Sequence, residues 1–330
     1  MTFGGKIKYR ADRHGTFEEE WLPHKRVYDC WRCSGFLHDF YNSSMIYAYH
    51  IHLHKLNQLG KEYYMLFIAC TDVNDGKHYS RNFIIEENKK SVDIDADSIF
   101  CGEALQILME KEAMALRIND SQFGFDLCLL KNKGAFWQGE LGKMYPETNN
   151  QKCSEQLFGY FYPQMTTYGR IRLGEKSIRV KGKSLFERVW GNVALKRKQR
   201  HWESIHLMLG SNEELNIINF PHSNTNYCAL VNKENGLSFP DTRISTLECF
   251  DCEGYSFAKS WQVQYNNNIY DLKPLSKESS SLPFHDMVLV VLDNNVDTKG
   301  YALASSWVGA RAKEPGNIDL SLFRGCDNFK

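Results

Sequence analysis

The sequence has no surplus of either charge. Forty Lys and Arg balance forty Asp and Glu over 330 residues. That removes the long-range pull toward nucleic acid or anionic lipid that a basic chain exerts. A long apolar run is also missing. The longest, Met287 to Leu292, is far below the ~20 residues that a membrane-spanning helix needs. Met1 to Lys8 holds no apolar stretch of signal-peptide length. The expectation is a soluble, cytoplasmic protein with no membrane span and no nucleic-acid partner; the oligomeric state stays open. Absent too are a glycine-rich phosphate loop, a Gly-x-Ser-x-Gly elbow and a His-Glu-x-x-His helix. Phosphoryl transfer, ordinary hydrolysis and cofactor-dependent redox chemistry therefore lack their usual marks. There is no low-complexity tract and no clear repeat. The one basic block, Lys196-Arg197-Lys198-Gln199-Arg200, reads as a solvated loop.

What the chain has is aromatic and strand-forming. Aromatic residues make up 13% and apolar residues 42%, enough to fill a core or to line a wide apolar cavity. Met45 to Leu56 alternates, Tyr63 to Cys70 is continuously apolar, and Phe123 to Leu130, Leu215 to Phe220 and Trp261 to Tyr265 follow. Asn-Asp-Gly, Asn-Lys-Gly and Glu-Asn-Gly sit between strand signals, the chemistry of tight turns. The pattern is all-β. Glu103 to Ala115 resists it: its composition favours a helix, while its end leads into the strand-like Leu116-Arg117-Ile118. Without an export signal the ten cysteines read as reduced, and Cys70, Cys128 and Cys228 as small apolar strand residues.

The densest signal runs from Phe161 to Leu209. Arg170-Ile171-Arg172-Leu173 and Ser177-Ile178-Arg179-Val180 alternate basic and apolar residues on either side of Gly174-Glu175-Lys176, a β-hairpin. Its second arm passes Gly182 and reaches Phe186-Glu187-Arg188-Val189-Trp190-Gly191. A further strand carries Trp202, Ile205, His206 and Leu207. Upstream, Asp29-Cys30-Trp31-Arg32-Cys33-Ser34-Gly35, Ala69-Cys70-Thr71-Asp72 and Phe136-Trp137-Gln138-Gly139-Glu140-Leu141-Gly142 each end on a strand-and-turn block. In this order, over residues 25 to 210, these blocks resemble the lipocalin-like family of carotenoid 1,2-hydratases (hydroxyneurosporene synthases). That family also contains Diels–Alder cyclases of polyketide pathways and a phytoalexin hydratase. Tyr162-Pro163 resembles its tyrosine-proline start. Trp190-Gly191 and the acidic Glu187 match its central motif, whereas Arg188-Val189 replace the usual His-Glu pair. The resemblance implies two packed lipocalin-like antiparallel β-barrels, residues 1–155 and 156–330, with the polar stretch 146–152 as linker. Barrels of this kind enclose room for one small apolar ligand.

Glu187, Arg188 and Trp190 have two readings: a polar cluster that donates a proton or hydrogen bond to a substrate, or an ion pair closing a barrel end under an indole. Asp29 and Trp31 enter through the resemblance, and a buried Asp29 with a raised pKa would serve as an acid. Asp72 sits where its carboxylate would cap a turn. His206 and Trp202 share one strand face, inward or outward. His50, His52 and His54 share another and form a weak metal alternative, since three in a row span about 13 Å and only two reach one ion. Cys30/Cys33 and Cys249/Cys252 are spaced for zinc, but the first pair lies in a strand that sends its sulfurs to opposite faces. The expected function is a cyclase or hydratase that needs no cofactor and acts on an apolar unsaturated terpenoid or polyketide. Glu187, Arg188, His206 and Asp29 would be catalytic; Trp31, Tyr162, Trp190, Trp202 and Asp72 would bind substrate. The other expectation is a non-catalytic lipid carrier.

Overall fold

In a computed structural model, residues 16–25, 28–58, 61–86, 91–144, 156–192, 200–210, 212–232, 236–252, 255–275, 280–281, 284–293, 297–308 and 327–328 are described. The basic block at 196–199 and the linker at 146–152 lie outside them. The described chain is all-β, about three quarters strand and without an α-helix. Among the described residues no helix is long and apolar enough to cross a membrane.

The strands of the first sheet are β1 (Tyr28–Asp39), β2 (Ile46–Gln58), β3 (Lys61–Asp72), β4 (His78–Glu86), β5 (Val92–Asp95), β6 (Ser98–Cys101), β7 (Leu105–Met109), β8 (Ala113–Asn119) and β9 (Phe123–Leu130), with the short β10 (Phe136–Trp137) and β11 (Lys143–Met144) and the long β12 (Gln156–Leu173) and β13 (Lys176–Asn192). Those of the second are β14 (Arg200–Leu209), β15 (Glu214–Phe220), β16 (Thr225–Val231), β17 (Leu237–Ser238), β18 (Thr242–Cys252), β19 (Tyr255–Tyr265), β20 (Asn268–Pro274), β21 (Ser280–Ser281), β22 (Phe284–Asp293) and β23 (Asp297–Val308). The last strand, β24 (Asp327–Asn328), returns to the edge of β4.

The first sheet is two meanders joined by a hairpin. Its order is β24-β4-β3-β2-β1-β13-β12-β9-β8-β7-β6-β5. β1 to β4 form one meander, β5 to β9 the other, and β12–β13 fills the gap between β9 and β1. The sheet curls into a nearly closed barrel. The second, in the order β17-β16-β15-β14-β23-β22-β20-β19-β18, curls into a half-barrel. Pairing explains where the compact units part. Backbone bonds tie β13 to β1 and β12 to β9, so residues 159–191 join the described residues of 1–136, while 137–158 belong with the segment after 192.

The hairpin expected at residues 170–180 is present, its turn at Gly174 with φ +60°. Glu103 to Ala115 is no helix but the β7–β8 hairpin: Leu105 and Ile107 are buried on one arm, Met114, Leu116 and Ile118 on the other. Alternate burial of these five side chains outweighs the helix propensity of the residues between them. The interior of the first barrel is filled at several described positions. Leu53, Tyr64, Leu66, Phe123 and Phe161 each show 0% exposure, so no water-sized space adjoins them. In the half-barrel the core holds Ile205, Leu207, Leu215, Trp261, Leu272 and Leu289.

Candidate functional site

Registers decide which side chains meet. Asp29 faces Trp190 on β13 and Lys55 on β2; Trp31 faces Arg188 and Leu53. Opposed residues share a face, so Asp29, Trp31, Lys55, Arg188 and Trp190 all lie on one side of the sheet. The segment before β1, with its 3-10 turn Glu19–Trp21, adds Glu20 and His24 to that side.

The result is an ionic cluster under aromatic cover. Arg188 Nη2 donates to Asp29 Oδ1. Lys55 Nζ lies 3.3 Å from Asp29 Oδ2 and 3.3 Å from Glu62 Oε1. The His24 backbone N–H donates to Asp29 Oδ2 at 3.0 Å, and His24 Nδ1 lies 2.9 Å from Oδ1. His24 Nε2 is 3.3 Å from Glu20 Oε2. The imidazole stacks on Trp190, centroids 5.2 Å apart at 10°. The guanidinium carbon of Arg188 lies 4.1 Å from the Trp31 ring centroid and 5.3 Å from that of Trp190, a cation–π arrangement out of water. Asp29, Lys55 and Arg188 are fully buried, while the His24 side chain keeps 13% exposure. Tyr160 meets Trp190 edge-on at 6.2 Å, and half-buried Phe17 and Tyr162 flank Tyr160.

Arg188 has no donor left for a substrate. Nε donates to the Glu20 carbonyl at 3.0 Å, Nη1 to those of Cys30 at 3.3 Å and Val189 at 2.9 Å, and Nη2 to Leu22 at 3.1 Å as well as to Asp29. Those are all five N–H groups of a guanidinium. Asp29 is no neutral acid either. Burial would raise its pKa, but Arg188, the His24 hydrogen bond and Lys55 outweigh that and hold it at about 2. At that value Asp29 is a carboxylate at neutral pH.

Glu187 is not part of this cluster. Neighbours in a strand point to opposite faces, so Glu187 turns away from Arg188 and pairs with Arg32, opposite it on β1, at 3.4 Å. The same face carries His50, His52 and His54, which stand opposite Ser34, Arg32 and Cys30. Successive imidazole centroids are 5.8 and 5.6 Å apart, and His54 Nδ1 is 2.9 Å from the Tyr28 hydroxyl. Cys30 and Cys33 are free thiols on opposite faces, each pushed up to about 12 by burial; Cys249 is free and exposed, and the Cys252 side chain lies outside the described residues. Asp72 ends β3 and accepts the Asn74 N–H at 3.0 Å, the turn role. It opposes Tyr47, eight residues along β2 from Lys55, about 26 Å from the ionic cluster. Tyr162 packs on Tyr160 and Phe186 at the cluster's end of the barrel.

In the second unit the inward face of β14 is the aliphatic one. Ile205 and Leu207 enter the core; Trp202 and His206 occupy the opposite face, both buried. His206 therefore does not line the half-barrel interior.

His24, Glu20, Lys55 and Glu62 went unread in the sequence. Lys55 had a signal: it continues the parity of Tyr49, Ile51 and Leu53, so an interior lysine was written into the alternation. Glu20 and His24, four apart before a strand, gave none.

A family model described as AttH-like matches residues 17–281. The fold is similar to the crystal structure of an AttH protein from Nitrosomonas europaea, with TM-score 0.75 and 14% identity, covering 91% of this chain and 98% of that one. It is also similar to kievitone hydratase from Nectria haematococca, with TM-score 0.61 and 12% identity over 84% of this chain and 88% of that one. No curated protein sequence matches the chain.

Proposed function

Because this chain belongs to the AttH-like family, we propose that it is a hydratase-type enzyme acting on an apolar, unsaturated natural product of terpenoid or polyketide type. The fold it shares with kievitone hydratase supports that class. The observation that carries the reading is His24, an imidazole set between the carboxylates of Asp29 and Glu20, stacked on Trp190 and still 13% exposed. In this reading Asp29 is a positioning residue. Anchored by Arg188 and Lys55, it fixes the His24 ring through Nδ1 and leaves Nε2 facing Glu20. One member of the His24–Glu20 pair gives a proton to an alkene carbon of the substrate. The aromatic faces of Trp190 and Tyr162 shelter the cation that results. Water forms the new C–O bond, and its spare proton goes to the other member, so one water is added and the protein ends with its protons restored. No organic cofactor takes part.

Cyclisation would use Arg188 or His206 as the donor to a carbonyl, and the five N–H groups of Arg188 are engaged within the protein. We favour hydration over cyclisation.

The test is incorporation of oxygen from H₂¹⁸O into a panel of prenylated phenols and terpene alkenes, read by mass spectrometry. His24→Gln lowers labelled turnover by about 10² or more, while Glu187→Gln, on the opposite face, retains most of it. Undiminished hydration in His24→Gln removes this site from the chemistry. Loss confined to Glu187→Gln moves the chemistry to the other side of β13.

A further inference from the structure

The outer face of the β12–β13 hairpin takes no part in the reaction proposed above. The chain is neutral overall, yet between Met165 and Phe186 it carries six Lys and Arg against one acid, Glu175. Alternation sorts these bases. Ile171 and Val180 point inward, at 0% and 1% exposure, so Arg170, Arg179 and Lys181 point out of the barrel. All three are exposed. The neighbouring strand adds two rings. Asp39 opposes Val180, and the Phe40 N–H donates to the Arg179 carbonyl at 2.8 Å, so Phe40 and Tyr41 leave the sheet beside Arg179. Tyr41 is 81% exposed and Phe40 39%. The Arg179 guanidinium carbon lies 4.5 Å from the Phe40 ring centroid and Lys181 Nζ 5.3 Å. Tyr41 meets Phe40 edge-on at 5.4 Å.

The acids nearby are engaged elsewhere. Asp126, opposite Arg170 on β9, lies 3.7 Å from Arg117. Asp39 Oδ1 accepts the Tyr41 and Asn42 N–H groups at 2.7 and 3.1 Å. Asp72 and Asp75, on the β3–β4 turn, accept N–H groups of that turn. Among the described residues Arg170, Arg179 and Lys181 have no ion-pair partner. Salt screens charges beyond roughly 8 Å, so a partner in contact meets this local surplus and not the zero sum of the chain. That partner must offer anionic groups and, within a side chain's length of them, an apolar layer for the rings. A bilayer with anionic headgroups has both, and aromatic and basic side chains settle at its boundary. A nucleic-acid strand would need a groove with free ring faces for stacking. Here cations already cover the Phe40 ring, and Tyr41 stands on a turn. We infer that this face docks reversibly on an anionic lipid bilayer, with Tyr41 and Phe40 entering the headgroup layer and Arg170, Arg179 and Lys181 pairing with lipid phosphates. The docking holds whatever reaction the chain catalyses.

Cosedimentation of the full chain with vesicles is the test. In about 0.15 M salt it is expected to bind mixed phosphatidylserine–phosphatidylcholine vesicles, to ignore pure phosphatidylcholine vesicles, and to come off the former as salt is raised. Arg179→Gln combined with Lys181→Gln is expected to weaken binding about 25-fold, about fivefold for each charge removed. Tyr41→Ser should weaken it several-fold with the salt dependence retained. Lys273→Gln combined with Lys299→Gln removes the same charge from exposed positions of the second unit and should bind as the wild type does. Equal binding to both vesicle types, unchanged binding in the Arg179 and Lys181 variant, or an equal loss in the Lys273 and Lys299 variant overturns the inference. So does tighter binding to a single-stranded oligonucleotide or to polyglutamate than to vesicles, or a lipid-free self-association that Tyr41→Ser abolishes. If the Arg179 and Lys181 variant does not fold, Tyr41→Ser and the comparison of the two vesicle types decide alone.

Discussion

Arg188 and Asp29 are worth more to the fold together than either is alone. A buried ion pair loses much of its attraction to desolvation, but deleting one partner strands the other as an unpaired charge, at about 3–5 kcal/mol. Arg188→Met is expected to cost that much in urea unfolding, and Arg188→Lys to recover little of it, because an ammonium has three donors where five acceptors wait. The depressed pKa of Asp29 gives a pH signature. Its folded value of about 2 lies below the ~3.9 of an unfolded aspartate. The carboxylate therefore stabilises the fold above the unfolded value and loses that contribution as pH falls from about 4 toward 2, roughly 2 kcal/mol in all. Urea midpoints measured between pH 2 and pH 5 should show this acid limb in the wild type and a flatter one in Asp29→Asn. An identical limb in both would mean that Asp29 is not the group responsible.

Strand β13 shows how far pattern reading reaches. Alternation placed the hairpin at 170–180, while the shared face of Asp29, Trp31, Arg188 and Trp190 follows from the β1–β13 register, which no block of the sequence states. Glu187 was read with Arg188 because the two are adjacent in sequence, yet adjacency in a strand separates side chains by the thickness of the sheet. Nor does alternation say which face of β14 turns inward; that depends on which neighbours supply a core, and Ile205 and Leu207 found it. The β10–β11 turn carries a strained residue that no pattern reveals. Leu141 has φ +52° and is 81% exposed, so it accepts a left-handed backbone without burying anything in return. Leu141→Gly is expected to stabilise by about 1 kcal/mol, read as a higher denaturation midpoint; a lower one would mean that the side chain holds the turn. Gly182 is the reverse case. A Cβ there would sit 2.1 Å from the Phe36 carbonyl oxygen, so Gly182→Ala must push β13 off β1 at the place where the long hairpin joins the first meander.

The whole molecule depends on that junction. β1 to β4 and β5 to β9 are each an antiparallel meander, and the strands that connect them come more than twenty residues after β9 ends. A fragment ending at residue 155 would present β1 and β9 as bare edges, rows of unpaired N–H and C=O groups that invite association. It is expected to be protease-sensitive and aggregating, whereas a fragment extended to residue 192 should yield a protected core in limited proteolysis. Equal protection of both would show that the meanders close without the hairpin.

The late arrival of β12 and β13 sets a timetable for birth on the ribosome. At about 5–20 residues per second, roughly 3–12 s separate the emergence of Leu130 from that of Gly191. For that interval the nascent polypeptide has most of its N-terminal strands and nothing to seal them. Holdase chaperones that cover sticky margins would be needed early in translation, well before the C-terminal half exists.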